Sequence, residues 1–489
     1  MSYEYNDEGQ LFAISEISKL NSNDTFRTTF TYDTTGNKIA STTPAGTRYF
    51  AYDNLNRIIK ETDEEGYIKH YFYSNAQLIG IMDKNSNYIH YKYDNRGRLL
   101  KIVDPFGDYT TSTYNAKGQL IGRTDKAENI TQYFYDSRNR LVKTLFADNS
   151  FISNEYNAGG ELVKTIDQEG NERNYERDTL SRITNETDTL GNSRQLTYDN
   201  RGALTAVHGF AGENTLYEYD SMGRQIKTID ENSYSEESVY TEGLVSARID
   251  PNGKQTQFAY DGFSRIQQVT DPDGYAVQYE YDTTGRRTAI INKNGNTRNY
   301  KYTARGNVSA IKNPSGATTR YEYDGNANLV KKTDANTNIV EYYYNKLNKV
   351  TNVKFNSIDK ANYEYNKNGL PIHITGENTD LWREYDPMNR VTVESNALTG
   401  RYLRFVYDTL GRRTSRTDNQ GRTTHYSYDS ESRLLSITSP DNRTISFEYD
   451  KRGRRTKRIN PNGTFAEYSY NGRRLSLLMF PASLSCRNA

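Results

Sequence analysis

The side chains able to do chemistry in this chain recur on a fixed spacing. At Tyr93-Asp94, Tyr219-Asp220 and Tyr281-Asp282 a phenol stands next to a carboxylate, and Gly-Arg follows three and four positions after the Asp, at Gly97-Arg98, Gly223-Arg224 and Gly285-Arg286. Repeated carboxylates could serve as acid-base pairs or Ca²⁺ ligands, and a row of Arg (also Arg412 and Arg454) could line an anionic groove. No Asp-x-Asp-x-Asp-Gly calcium loop occurs, however, and a turn explains each Asp without a ligand. Asp and Arg at constant offsets are expected to form surface ion pairs of small individual worth. His70, His90, His208, His373 and His425 lie in different repeats without metal-like spacing, and Cys486 is the only thiol. G-x-S-x-G, a P-loop and a dinucleotide fingerprint are all missing. These residues predict a protein that is not an enzyme and has no catalytic residues, metal or cofactor.

The elements that must position these residues follow from the period. Anchored on the second Tyr of Tyr-x-Tyr, 23 copies run from Tyr5 to Tyr470, all Tyr except Arg177, and after a first interval of 27 the spacings are 20 to 22. The next residue is Asp in 14 copies and Asn in six, and the fourth is Gly in 12 and Asn in four. Asp or Asn first and Gly fourth, as in Asp282 to Gly285, marks a type I turn closed by a left-handed residue, with Asn as second choice at Asn389. Ten residues on, the same chemistry recurs as "NKNG" (Asn292 to Gly295) or "DPFG" (Asp104 to Gly107), so each copy is predicted to be a β-hairpin. The strand after the Tyr-Asp turn alternates poorly. Val163 and Ile166, or Ile226 and Ile229, stand three apart, which requires a bulge or a strong twist.

Single hairpins are marginal, so successive copies are expected to pair edge to edge into one antiparallel ribbon. At a strand spacing of about 4.8 Å, roughly 46 strands give a ribbon on the order of 220 Å long and 22 Å wide. Twist would coil it against its own next turn, and its area makes it a partial wall rather than a complete container. The fold class expected is all-β: repetitive antiparallel β-hairpins in a coiled ribbon that winds into a partial hollow shell or barrel.

Composition bounds the partners. Lys plus Arg is 63 against 62 for Asp plus Glu, which argues against a nucleic-acid surface or polybasic membrane patch. Only 34% of residues are hydrophobic and mean hydropathy is −0.93, yet 43 Tyr supply amphipathic contact area that a disordered chain lacks. "MSYEYNDEGQ" has no basic then apolar pattern, and no apolar run is long enough to span a bilayer, so neither a signal peptide nor stable membrane insertion is expected.

"YEYDTTGRRTAIINKNGNTRNYKY" and "YKYDNRGRLLKIVDPFGDYTTSTY" resemble the YD repeat of the Rhs (rearrangement hot spot) family, over residues 3 to about 474. The resemblance implies a ribbon wound into a shell. In bacterial polymorphic toxins of this kind the shell encloses a C-terminal toxin delivered by type VI or other secretion routes. It therefore implies a non-catalytic shell segment, secreted or at the cell surface, with a toxin domain or other polypeptide cargo and a secretion-machinery component as partners. The alternative is an adhesin or carbohydrate-binding repeat protein using exposed Tyr on glycans. The Rhs resemblance further implies a closing segment with an Asp-Pro-x-Gly-Leu self-cleavage motif, and none follows Tyr470, where "RRLSLLMFPASLSCRNA" lacks Asp, Glu and Tyr. The expected organisation is a repeat array over 1–470 and a non-repeat tail over 471–489, disordered or a rearrangement or frameshift product. In this reading the chain lacks the closing segment and the toxin.

Overall fold

The computed structural model describes residues 1–20, 25–471 and 474–479. Over these the chain forms 46 strands in one antiparallel sheet, each paired with its neighbours in sequence. The expected tail contributes to it: Arg474–Met479 is the last strand, paired with Phe465–Asn471. The rest of that tail, with Cys486, lies outside the described residues.

Most repeats build the same hairpin for the same reasons. In the turn after Tyr281, the Gly285 amide donates to the Asp282 carbonyl (3.0 Å) and the Asp282 amide to the Arg286 carbonyl (2.8 Å). That geometry needs a left-handed fourth residue, and Gly285 has φ +81° while Asn389, in the equivalent place, has φ 64°. The turn at Asn292 repeats it with Gly295 at φ 76°, so one turn type predominates on both edges of the ribbon, with tighter turns at Ser74–Gln77, Thr43–Gly46 and Phe355–Ile358.

A bulge resolves the broken alternation. Tyr281 pairs with Arg287 but Glu280 pairs with Ala289, so Thr288 is stepped over. The same step falls at Val163, between the Tyr156–Leu162 and Glu155–Lys164 pairs, and at Ile226. One extra residue shifts the alternation, so side chains three apart no longer point to opposite faces. The bulge immediately after each Tyr-Asp turn is thus a property of the repeat.

Buried hydrophobic residues are few and small: Ala13, Ala40, Ala247, Ala289, Ala466 and Phe447. A sheet with so little buried apolar area is held by its ladders and by polar side chains that join adjacent hairpins. The chain divides into two compact units. One comprises Met1–Ser112, Val239–Arg248 and Lys254–Asn378, and the other Thr113–Ser238, Ile249–Gly253 and the chain from Thr379 on.

Candidate functional site

The repeat residues singled out above assemble into a lattice that runs from hairpin to hairpin. The Tyr281 hydroxyl donates to the Ile266 carbonyl at 2.7 Å, Tyr219 to Leu204 at 2.9 Å and Tyr93 to Leu78 at 2.8 Å, each 15 residues back. The phenol thereby fastens its own hairpin to the one before. Burial pushes the phenols of Tyr219 and Tyr281 above their ordinary value. Arg177, the single non-Tyr anchor, keeps the function: its Nε donates to the Leu162 carbonyl at 3.4 Å, also 15 back.

Asp282 closes the turn. Its Oδ1 accepts the Thr284 and Arg286 amides, both at 2.9 Å, and its Oδ2 accepts Arg286 Nε at 2.7 Å. Asp94 and Asp220 do the same with Arg96, Arg98 and with Met222, Arg224, and Gly97 and Gly223 take φ 79° and 81°. The backbone amides of Arg98 and Arg224 hold the Asp94 and Asp220 carboxyls below the usual range. For Asp282 burial opposes ionisation, but the bonds from Thr284 and Arg286 outweigh it.

The arginines do more than the surface ion pairs expected of them. Arg286 Nη1 donates to the Thr303 carbonyl in the next turn (2.9 Å), and its guanidinium lies 5.0 Å from the Tyr302 ring, the next anchor. Arg140, Arg412 and Arg433 repeat both contacts with Asn157 and Tyr156, Asp429 and Tyr428, and Asp450 and Tyr449. Each Arg therefore links its own Asp to the Tyr and turn of the following copy, half-buried between them.

What the repeat consensus does not predict is a second set of contacts at the turn tips. Within each unit, Tyr-Asp turns late in the chain meet between-hairpin turns earlier in it through side-chain contacts 239 to 243 positions apart. In the first unit Arg305, its side chain only 7% exposed, reaches Glu65 Oε2 at 2.7 Å and covers the Tyr67 ring at 4.5 Å. Fully buried Asp63 takes Lys84 Nζ at 2.6 Å, Asn85 Nδ2 donates to Asp324 (2.8 Å), and Asn326 Nδ2 donates to Asp83 (2.7 Å). Burial opposes the Asp63 charge, but the Lys84 bond prevails and its carboxyl stays below the usual range.

In the second unit Arg412 binds Glu169 (2.7 Å), and Arg452 binds Glu213 (3.2 Å) and Glu231 (2.7 Å). Glu431 accepts Arg173 (2.8 Å) and both the amide (2.8 Å) and hydroxyl (2.6 Å) of Thr189. Beside it a cavity of about 240 Å³ is lined by Leu410, Tyr175 and Thr165. Most of these seam residues occupy the second or third position of a turn, where the repeat has no consensus. Their only trace in sequence is that Glu and Arg appear there without periodicity.

The histidines do not converge. His208 bonds Asn214 (2.7 Å), His373 faces Glu364 (3.4 Å), and His70 and His90 border Phe72 and Tyr88, while His425 is exposed and paired in register with Ser415 and Thr438. Among the described residues no group of three or more His, Cys, Asp or Glu could hold a metal ion. No helix among them is long and apolar enough to cross a membrane.

A periodic Tyr-Asp-Gly-Arg lattice on paired hairpins, with turn edges that mate within each unit, defines a β-hairpin repeat protein. The profile of the teneurin YD-shell family matches residues 1–142 and 286–429, and that of the RHS repeat matches 241–276, 264–297 and 429–464. The chain belongs to this YD-shell, RHS-repeat family. No curated protein matches it. Among solved structures it is similar to the TcdB2-TccC3-TEV crystal structure, with 14% identity over 98% of this chain and 31% of that one and a TM-score of 0.70. The TcdB2-TccC3-Cdc42 crystal structure gives 14% identity, 97% and 31% coverage and a TM-score of 0.55. The Photorhabdus luminescens Tc holotoxin pore gives 14% identity, 96% and 30% coverage and 0.53. At that identity the likeness is one of fold, and the chain spans about a third of the length of those chains.

Proposed function

We propose that this chain is a non-catalytic wall segment that encloses a polypeptide toxin and helps deliver it in competition between cells, acting outside the producing cell or at its surface. Residues 1–470 act as the repeat array of that wall, and a secretion-machinery component is the second partner. The observation that carries the reading is the seam: a ribbon whose two edges mate about 240 residues apart is built to continue as wall. Membership of the YD-shell family and the toxin complexes among its structural relatives point the same way.

The glycan-binding alternative has less in its favour, because three of the exposed rings that would stack on sugars already carry cations. Lys101 Nζ sits 3.0 Å from the Tyr109 centroid, Lys143 3.9 Å from Phe151 and Lys293 4.1 Å from Tyr275. Electron microscopy of the purified chain tests the proposal. A curved or hollow particle is the expected result, and a solid globule or an extended rod would overturn it.

A further inference from the structure

Within the second unit, the seam uses only one edge of each ribbon stretch. The stretch Thr113–Ser238 gives its between-hairpin turns to the seam, through Asp148, Glu169, Thr189, Glu213 and Glu231. Its other edge, the Tyr-Asp turns, is exposed at the tips: Lys117, Arg138, Leu180, Arg201 and Met222 all stand at the third turn position and all face solvent.

Two of these tips have seated counterparts in the same unit. Asp178-Thr179-Leu180 and Asp408-Thr409-Leu410 are the same tripeptide in the same turn. In the seated copy Thr409 Oγ1 donates to the Gln168 carbonyl (3.4 Å) and Leu410 lines the seam cavity, whereas Leu180 is 69% exposed. Arg452 and Arg201 likewise hold one position in Asp-x-Arg-Gly. Arg452 is 15% exposed between Glu213 and Glu231, and the Arg201 side chain is 58% exposed.

The exposed arginines are also already posed. Arg138 Nη1 donates to the Ala158 carbonyl (2.7 Å) and Arg201 Nη1 reaches the Ser221 carbonyl (3.4 Å), each 20 residues on, with Arg201 Nε facing its own Asp199 carboxylate at 3.5 Å. Arg305, seated against Glu65, makes the same bond to the Gly325 carbonyl 20 residues on (2.7 Å), which leaves its Nε for the carboxylate. A side chain fixed along the edge loses less freedom when a partner arrives.

We infer that the edge bearing Lys117, Arg138, Leu180, Arg201 and Met222 is a docking surface for a row of acidic β-hairpin turns on a different polypeptide. Charge complementarity names the partner, because in the seated edge the facing turns bring Asp148, Glu169, Glu213 and Glu231. The second unit of another copy supplies no such row. The remaining turn edge of the unit reads Asn419-Gln420, Pro440-Asp441 and Pro461-Asn462, and its Asp441 is held by Arg443. The inference holds whether or not the chain encloses a toxin.

The test is capture of the full-length chain on a biosensor surface densely coated with a backbone-cyclised hairpin peptide spanning Val163–Asn174. Control surfaces carry the Glu169→Gln hairpin or heparin. Capture by the acidic hairpin is expected to fall about tenfold for the Glu169→Gln probe and at least as much for a Lys117→Glu, Arg138→Glu, Arg201→Glu chain. Leu180→Ser should weaken it without changing the circular dichroism spectrum. No capture, equal capture of the charge-reversed chain, or stronger capture on heparin with no dependence on Leu180 would each overturn the inference, the last by showing a general polyanion surface.

Discussion

At the scale of single residues, stability in this protein depends on groups that each satisfy a neighbouring hairpin. The Tyr281 hydroxyl bond to Ile266 is a neutral pair, so Tyr281→Phe should cost about 1 kcal/mol, read as faster hydrogen exchange in the hairpin it fastens. Arg177→Tyr should work the other way. A phenol would replace the 3.4 Å contact to Leu162 with one of the length seen in neighbouring copies, slowing exchange in the strand pair it fastens, while loss of the Arg177 Nη1 bond to the Ser181 carbonyl (2.9 Å) should speed exchange in its own turn. The turn carboxylates set the acid limit. Asp33 is held down to about 2 from 3.8, first by the Thr35 hydroxyl, with the Asn37 side chain and the Thr35 and Asn37 amides adding to it against desolvation. A folded value below the ordinary one means that the stabilisation is complete above 3.8 and is lost as pH falls towards about 2. Carboxyl NMR should find Asp33 still ionised at pH 3, and titration at the ordinary value would disprove this account of the turn. Reading Asp as a turn residue needs only its offset from Gly. The half-buried Arg was not legible in the same way, because its stacking on a Tyr 16 residues ahead depends on how hairpins pair.

At the scale of elements, one turn type used on both edges and one bulge generate most of the ribbon. Turns were legible because a left-handed fourth position leaves a strong mark in sequence, Gly or Asn. The bulge was visible only as a defect in alternation, and pairing had to locate the extra residue. Gly285 tests the turn chemistry cleanly: with φ +81° and only an ordinary contact at 3.8 Å awaiting a Cβ, substitution strains the backbone and little else. Gly285→Val should therefore destabilise its hairpin by about 1–2 kcal/mol, and Asn389→Gly should be neutral or mildly stabilising. Residue-resolved hydrogen exchange across 276–291 and 381–396 would separate these outcomes.

At the scale of the whole molecule, the decisive contacts are those that no single repeat contains. Glu431 touches Arg173 and Thr189 across the seam but takes no part in the Tyr-Asp-Gly-Arg lattice of its own turn, apart from its backbone. Glu431→Gln should loosen the seam while leaving the hairpins intact. The expected sign is roughly tenfold faster exchange at the Thr189 amide, with little change at amides inside neighbouring strand ladders. Uniform loss over the unit would mean that seam and ladder melt together. The seam was not legible in sequence because its partners are set by how far the ribbon travels before its edges meet, a distance no local pattern encodes. That distance, 239 to 243 residues, is about eleven and a half repeats of 21. Gain or loss of one whole copy would disturb no individual hairpin. One added copy between the two stretches would carry Glu431 onto the turn beside Glu213 and take Arg412 away from Glu169. The irregular tip residues therefore act as a checksum on repeat number, rejecting by charge a gene product whose every repeat is individually sound.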